Sequence, residues 1–387
     1  MDAHARDRLC SCCWGMFLLL SAGCPGRAPR TVDEAPRVIP DDPSEGEGEG
    51  EGAGEGEGEG EGEGEGQGEG GEGEGEGEGE GEGEGEGEGE PRSIPYVFVI
   101  PMENKAEERI YGSALAPFIN DVLMAEYAYA ESYADCLPEL SSEAHYLWLE
   151  AGTNAFDDHT FVGSQPPSST NSTADVRHIS KMLDDAPGAR TWRSYQEGLN
   201  KSTGACPVRN SGTYVARHDP FVFFHDVAGN PPAADNAYCA SRHRAYTKES
   251  FAADLAANDV EVYTFITPDL CNDMHGVSTC TNGCTSTTAA ACISEGDRWL
   301  EENVPPILDF IDVHGGVLLI VWDESEGAST QPFLIAGPTV RQGHVSDVAY
   351  DHSSYTKSLQ LIFGLDVDPR VETANDFSDF FPSGGFP

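Results

Sequence analysis

Apolar residues recur along this chain in two rhythms. Short unbroken apolar runs ending in polar or turn-forming residues read as strands buried on both faces, and apolar positions three and four apart read as helices. The run YVFVIPMEN at 96–104 is apolar or aromatic at five of its first six positions, without alternation, and it stops at Glu103 and Asn104. VLLIVW at 317–322 is the strongest strand pattern and runs directly into Asp323 and Glu324. Further strands are predicted at 260–267 and 332–336. Helical spacing is found at 116–128 (with Phe118, Val122 and Ala125 on one face), 143–151, 175–186, 248–258, 294–313 with a break at Pro305-Pro306, and 353–363. Alternating strands and helices predict an α/β fold, a three-layer sandwich around a mostly parallel central sheet. The long polar, cysteine-bearing stretches 160–172, 200–245 and 271–292 are expected to be lids or site walls rather than core.

This organisation begins only near residue 95. Residues 1–24 carry Arg6 and Arg8, a short apolar run at 14–20 and a small-residue exit, the pattern of an export signal. The run is too short to span a bilayer as a helix. Leu20-Ser21-Ala22-Gly23-Cys24 resembles a bacterial lipoprotein box with Ser21 at an unusual position, so an acylated Cys24 is expected, with an ordinary cleaved signal as the alternative. Residues 25–94 are expected to be a disordered linker. Within it, 45–90 is a Glu-Gly repeat, too glycine-rich to pack and too charged to collapse. As a random coil it spans roughly 35–40 Å, enough to act as a tether or as a spacer with no other role. Residues 95–387 then form one catalytic domain, at the cell envelope or secreted.

Charge and cysteines narrow the functional classes. The formal charge is −46, and residues 45–90 hold 21 Glu without a Lys or Arg, leaving −25 for the rest. No basic cluster neutralises a nucleic-acid backbone, so nucleic-acid binding is excluded, and no basic amphipathic helix favours an anionic membrane surface. An acidic body still accepts phosphate esters if a bound metal inverts the local field. Seven of the 11 cysteines lie in the body: Cys136, Cys206, Cys239, Cys271, Cys280, Cys284 and Cys292. With an export signal, disulfides are expected over a zinc knuckle, whose CxxC spacing is missing.

The residues that carry chemistry fall where strands end, the usual place for ligand sites in parallel sheets. Glu103 and Asn104 follow the first strand. Asp273 and His275 stand in ITPDLCNDMH after the second, Asp323 and Glu324 follow VLLIVW, and His352 opens the last helix. Carboxylates and imidazoles converging from several strands are the usual ligands of a catalytic divalent metal. Ser142 sits at a predicted helix N-terminus, which favours an anion; it is either a nucleophile or a cap.

The phrases VIPMEN, SEAHYLWLEAG, RHDPFVFF, FITPDLCNDMH and VWDE, with the late His352, occur in an order that resembles the bacterial phosphoesterase family of acid phosphatases and phospholipases C, within the alkaline-phosphatase-like superfamily. The resemblance covers roughly 95–365. It implies that Glu103, Asn104, Asp273, Asp323 and Glu324 bind metal, that Ser142 is the nucleophile, and that His218, His275 and His352 complete the catalytic set. The implied partner is a small-molecule or lipid phosphate ester, met without membrane contact beyond the N-terminal anchor. The chain departs from the family at Lys105, at Leu140-Ser141 and at Ala144-His145. Three readings follow: a metal-dependent phosphomonoesterase, a phospholipase C-like diesterase, and a non-catalytic surface-binding protein that keeps the fold.

Overall fold

A strand with no polar side chain to turn toward water has to be covered on both sides, and the central strands meet that demand. In the computed structural model, which describes residues 94–188 and 190–387, β1 (Val97–Met102), β5 (Tyr263–Thr267) and β6 (Val317–Trp322) are buried at every position. With β2 (Ala128–Ala130), β3 (Trp192–Gln196), β4 (His243–Ala245), β7 (Phe333–Ala336) and β8 (Val345–Ser346) they form one sheet, in the order β4-β3-β5-β1-β6-β7-β2-β8. From β4 to β6 every pairing is parallel; β7 runs antiparallel to β6 and to β2. The expected mostly parallel α/β sandwich is present.

Alternate residues of the central strands feed two separate cores. Val97, Val99, Leu319, Val321 and Phe265 join the core under α1 (Ser142–Ala151) and α5 (His352–Ile362). Phe98, Ile100, Met102, Leu318, Ile320 and Ile266 join the opposite core, covered by α4 (Ala289–His314) and, at its edge, α3 (Lys248–Ala256). The helix α2 (Ile179–Asp185) lies beside α1. Burial at about 25 cal/mol per Å² on both faces holds the sheet rigid beneath the site.

Three elements differ from the sequence expectation, each for a physical reason. The helix predicted to break at Pro305-Pro306 continues unbroken from Ala289 to His314. Trp299, Leu300, Val304, Ile307 and Ile311 press one continuous stripe into the core, which outweighs the loss of two backbone donors, and Pro305 faces solvent. The helix predicted at 116–128 is instead a wide turn at Phe118–Leu123, a short turn at Met124–Glu126 and the strand β2. The buried Asp297 of α4 accepts the N–H groups of Phe118 (3.0 Å) and Ile119 (2.9 Å), fixing where that turn begins. The helix predicted from Asp175 starts at Ile179, with His178 accepting the Lys181 N–H at its cap, while Asp175 is drawn into a tight turn by the Arg177 N–H (2.7 Å).

The stretch 200–245, expected to be a lid or site wall, supplies His218 to the site as a wall would, but it also lines the core with Phe221, Val222, Phe223 and Phe224 and carries β4. It is pinned by the disulfide Cys206–Cys239; Cys271–Cys280 and Cys284–Cys292 brace the loop after β5, so these six cysteines form bridges rather than a zinc site. Among the described residues no helix is long and apolar enough to cross a membrane. The expected leader and the Glu-Gly tract lie outside the described residues.

Candidate active site

The register of β1 against β6 pairs Met102 with Trp322, so both strands end at one level and deliver Glu103 and Asp323 side by side. The Asp323 N–H donates to the Met102 carbonyl (3.0 Å), and the Glu103 N–H donates to the Asp273 carbonyl (2.8 Å), which brings in the turn after β5. Asn104 adopts φ 44°, a left-handed conformation that asparagine tolerates better than most side chains. That turn aims its backbone N–H at Asp323 Oδ1 (3.0 Å). Met274, at φ 81°, makes the matching turn between Asp273 and His275. It fits only because α4 carries Gly296 opposite: a Cβ there would stand 2.3 Å from Met274 Cγ.

Ser142 occupies the first turn of α1, whose N-terminus points at the sheet edge. Its hydroxyl lies 3.2 Å from Glu103 Oε2 and 3.3 Å from Glu324 Oε1. Helix α1 is tied to α5 by Trp148 Nε1 donating to Ser353 Oγ (2.8 Å) and by Thr356 Oγ1 donating to the Trp148 carbonyl (3.0 Å), so the serine is held by packing far from itself. Ser141 holds the cap position but makes no capping bond; its hydroxyl donates to the Gly163 carbonyl. Of the two serines, Ser142 is the one in the acidic cluster.

His218 lies on the other side of Glu103, with Nε2 3.2 Å from Glu103 Oε1 and Nδ1 3.6 Å from Asp273 Oδ2, its ring stacked on Tyr146. Ligand atoms of Glu103, His218 and Asp273 all fall within 4.8 Å of one another. His275 lies at the rim, its Nδ1 2.9 Å from the Gly276 carbonyl. His352 turns both ring nitrogens to protein groups: Nδ1 is 3.0 Å from the Tyr133 hydroxyl and Nε2 is 2.8 Å from the Asp323 carbonyl. Gln331 donates to that same carbonyl (3.1 Å). This geometry makes His352 a holder of Asp323. The eight other expected site residues converge on one rim.

The electrostatics are those of an anionic cage. Burial pushes the Glu103 carboxyl well above its ordinary range, with Asp323 and Asp273 adding to the shift. Burial likewise raises Asp273 and Asp323. Burial and Asp323 push Glu324 up to about 8. Burial, then Arg217 and His275, hold His218 well below the usual imidazole range. Glu103 Oε1, Asp273 Oδ2 and Asp323 Oδ2 are buried without hydrogen-bond partners, an arrangement that costs several kcal/mol unless a cation joins it. The Asn104 amide supports the same conclusion. Its terminal group lies 3.2 Å from Asp323 Oδ1, 2.9 Å from Glu324 Oε1 and 3.0 Å from Glu103 Oε2. The amide presents its NH₂ to these acceptors; around a bound divalent ion Asn104 would instead offer its oxygen. The donor set therefore fits a hard divalent ion.

Supporting residues without a local sequence signal complete the site. Lys105, buried beside the left-handed turn, donates to the Asn104 carbonyl (2.7 Å) and pairs with Glu326 Oε1 (2.8 Å). Asp135 accepts from the Ser325 N–H (3.0 Å) and hydroxyl (2.8 Å) and so fixes the loop after Glu324. Lys105→Met keeps the aliphatic stem and removes only this clamp. It is expected to lower kcat/KM about 10- to 100-fold, with the melting temperature falling by about 2–6 °C, since a half-exposed partner keeps the stability cost near 1–2 kcal/mol. Steady-state kinetics and calorimetry on one preparation check both.

A hydroxyl at a helix N-terminus beside a carboxylate cage, at the carboxyl edge of a parallel sheet, in a chain matched by the phosphoesterase family model, marks a phosphoric-ester hydrolase of α/β fold. The chain belongs to the Phosphoesterase family, whose model matches residues 102–366. It is 25% identical over 288 residues to a phosphatidylinositol-3-phosphatase of Mycobacterium tuberculosis, covering 74% of this chain and 82% of that protein. It is also 26% identical over 238 residues to a phosphate-repressible acid phosphatase of Penicillium chrysogenum, covering 58% of this chain and 49% of that one, so it spans about half the fungal relative's length. Among solved structures, a protein in the alkaline phosphatase superfamily from Vibrio parahaemolyticus aligns with a TM-score of 0.45 at 12% identity, covering 74% of this chain and 70% of that one.

Proposed function

We propose that this chain is an exported metal-dependent phosphomonoesterase that uses Ser142 as its nucleophile. The observation that carries the reading is the Ser142 hydroxyl placed between Glu103 and Glu324 at the first turn of α1. Glu103, Asn104, Asp323 and Glu324, with Asp273 and His218 on the far side of Glu103, would hold the divalent ion; when bound, it supplies the positive charge that lets a phosphate approach four carboxylates. In attack, the Ser142 Oγ–P bond forms as the ester P–O bond breaks. The serine proton passes to a neighbouring carboxylate, Glu103 Oε2 at 3.2 Å and Glu324 Oε1 at 3.3 Å both being within reach of the hydroxyl. The departing oxygen is protonated by the carboxylic acid formed in the attack or by water at the rim; His275, whose Nδ1 donates to the Gly276 carbonyl (2.9 Å), positions it. Water then cleaves the phosphoseryl ester, returning serine and inorganic phosphate. The free N–H groups of α1 stabilise the anion throughout.

The names of the mycobacterial and fungal relatives describe phosphatases, which favours a monoester over the diester of a phospholipase C. Residues 95–387 would be the catalytic body, carried behind an export signal, with Cys24 as lipid anchor and the Glu-Gly tract as tether. Purified protein is expected to hydrolyse a chromogenic aryl phosphate at least ~10-fold faster than the corresponding bis-aryl diester, and to lose at least ~100-fold of that rate on chelation, restored by a divalent ion. Faster diester turnover would replace the monoesterase assignment. Tight metal binding without turnover of any phosphate ester would establish the non-catalytic reading.

A further inference from the structure

A phosphate dianion entering a cage of carboxylates needs N–H donors, and the imidazoles of the site differ in what they have left to give. His352 has both nitrogens engaged, at Tyr133 and Asp323. His218 has both beside carboxylates, and His275 has Nδ1 committed at the rim. Lys105 spends its ammonium on Asn104 and Glu326. His145 is 1% exposed and its Nε2 is buried without a hydrogen-bond partner among the described residues. His218 Nε2 makes no hydrogen bond either, but it stands 3.2 Å from Glu103 Oε1 within the group of ligand atoms close enough to hold a metal, so it is committed there.

His145 is placed where such a donor is useful. It follows Ser142 by three residues on α1, so the two side chains share a helical face. Its ring meets His352 edge-on at 5.8 Å, and His352 is the residue that holds the Asp323 backbone. Asp323 Oδ2, in the same corner, is likewise without a partner. A buried imidazole nitrogen left unmade costs about 1–3 kcal/mol, and an apolar side chain of similar size would avoid that cost. The neighbouring His352 has both ring nitrogens satisfied, which leaves His145 Nε2 as the uncommitted imidazole nitrogen in this corner. Glu103, His218 and Asp273 form the tight group of ligand atoms among the described residues, and His145, like Asp323 and Glu324, lies outside it, so metal content has to be followed in any test of His145.

We propose that His145 is a substrate-contacting residue whose Nε2–H donates to a phosphoryl oxygen of the bound ester, one helical turn beyond the nucleophile. This rests on the reading of the site as a phosphatase centre. The partner it recognises is the phosphoryl group itself, so free inorganic phosphate serves as the probe. The test uses the metal-loaded full chain, titrated with inorganic phosphate by calorimetry, with KM for an aryl phosphate measured in parallel and metal content determined for each variant. His145→Ala is expected to weaken phosphate binding and raise KM about 10- to 100-fold, the range of one lost charge-assisted hydrogen bond, with metal content unchanged. His145→Asn, which keeps a donor, is expected to recover part of both. If the alanine variant does not fold, His145→Phe fills the same space without a donor and carries the same comparison. Unchanged phosphate affinity in Ala or Phe overturns the proposal, as does loss of the metal in either, which would make His145 a ligand. If the wild-type protein binds no phosphate and hydrolyses no aryl phosphate, the phosphatase reading falls and takes this one with it; wild-type binding matched by the variants removes His145 alone.

Discussion

Ser142→Ala is expected to lower kcat for an aryl phosphate by about 10³- to 10⁵-fold, the range for removing a nucleophile whose site still binds and polarises its substrate. Asp323→Ala is expected to fall in the same range for another reason. It removes the carboxylate that orients Asn104 from below and lies between Glu103 and Glu324 in the cage, so the loss includes metal affinity. The double variant is expected to be scarcely worse than the poorer single one, because residues that act as a unit lose their effect together. Single-turnover assays, with trapping of phosphoserine in the wild-type chain, check the set. Retention of more than a tenth of the activity by either single variant would remove that residue from the mechanism. Thermal melts accompany the kinetics, since both residues are buried and a fallen rate in an unfolded protein says nothing.

The second large effect is thermodynamic. In the metal-free chain, burial raises the carboxyl groups of Glu103, Asp273 and Asp323, and burial with Asp323 raises Glu324 to about 8. These shifts are opposite in sign to those of a salt-bridged carboxylate. A group whose folded-state pKa lies above its unfolded value of about 4.3 binds more protons folded than unfolded throughout the interval between the two. Stability therefore falls as pH rises through that interval and levels off only above the folded value. Below about pH 6.5 the imidazoles of His218, His275 and His352, which desolvation holds below their usual range, act in the opposite sense. The loss is therefore read between about pH 6.5 and pH 8, where the metal-stripped protein is expected to lose about 2 kcal/mol, roughly 4–8 °C in melting temperature. The metal-loaded protein, whose carboxylates are already compensated, should be nearly flat over the same range. Calorimetric melts of both forms across that range decide it. A stripped protein that grows more stable toward pH 8 would show that the cage needs no cation.

Much of this site was legible because the fold rule and the chemistry coincide. A parallel strand buried on both faces has to read as an unbroken apolar run, and the first polar residue after it has to stand at the sheet edge. Glu103, Asp323 and Glu324 were found that way. Asp273 and His275 were found less directly, since a turn and a disulfide-braced loop separate them from Thr267. The place of His352 at a helix start near the rim was readable, but its role is set by Tyr133 and Asp323, each far from it in sequence. The strand Trp192–Gln196 leaves no apolar run in the sequence because Arg193, Ser194 and Gln196 interrupt it. The polar groups are satisfied only by partners in the folded sheet, as where Gln196 donates to Thr267 Oγ1 (2.8 Å).

The sequence by itself determined the class of the fold, the edge of the sheet that carries chemistry and most of the side chains placed there, because strand burial, helix periodicity and the residue types a metal needs are all local properties. Only the tertiary structure decided that Ser142 rather than Ser141 enters the cage, that Lys105 is a clamp on Asn104, that His352 braces while His145 is left with an open nitrogen, and that a helix with two adjacent prolines stays whole. Those outcomes depend on which distant group lies within hydrogen-bonding or packing distance, and that distance exists only once the sheet has brought its strand ends together.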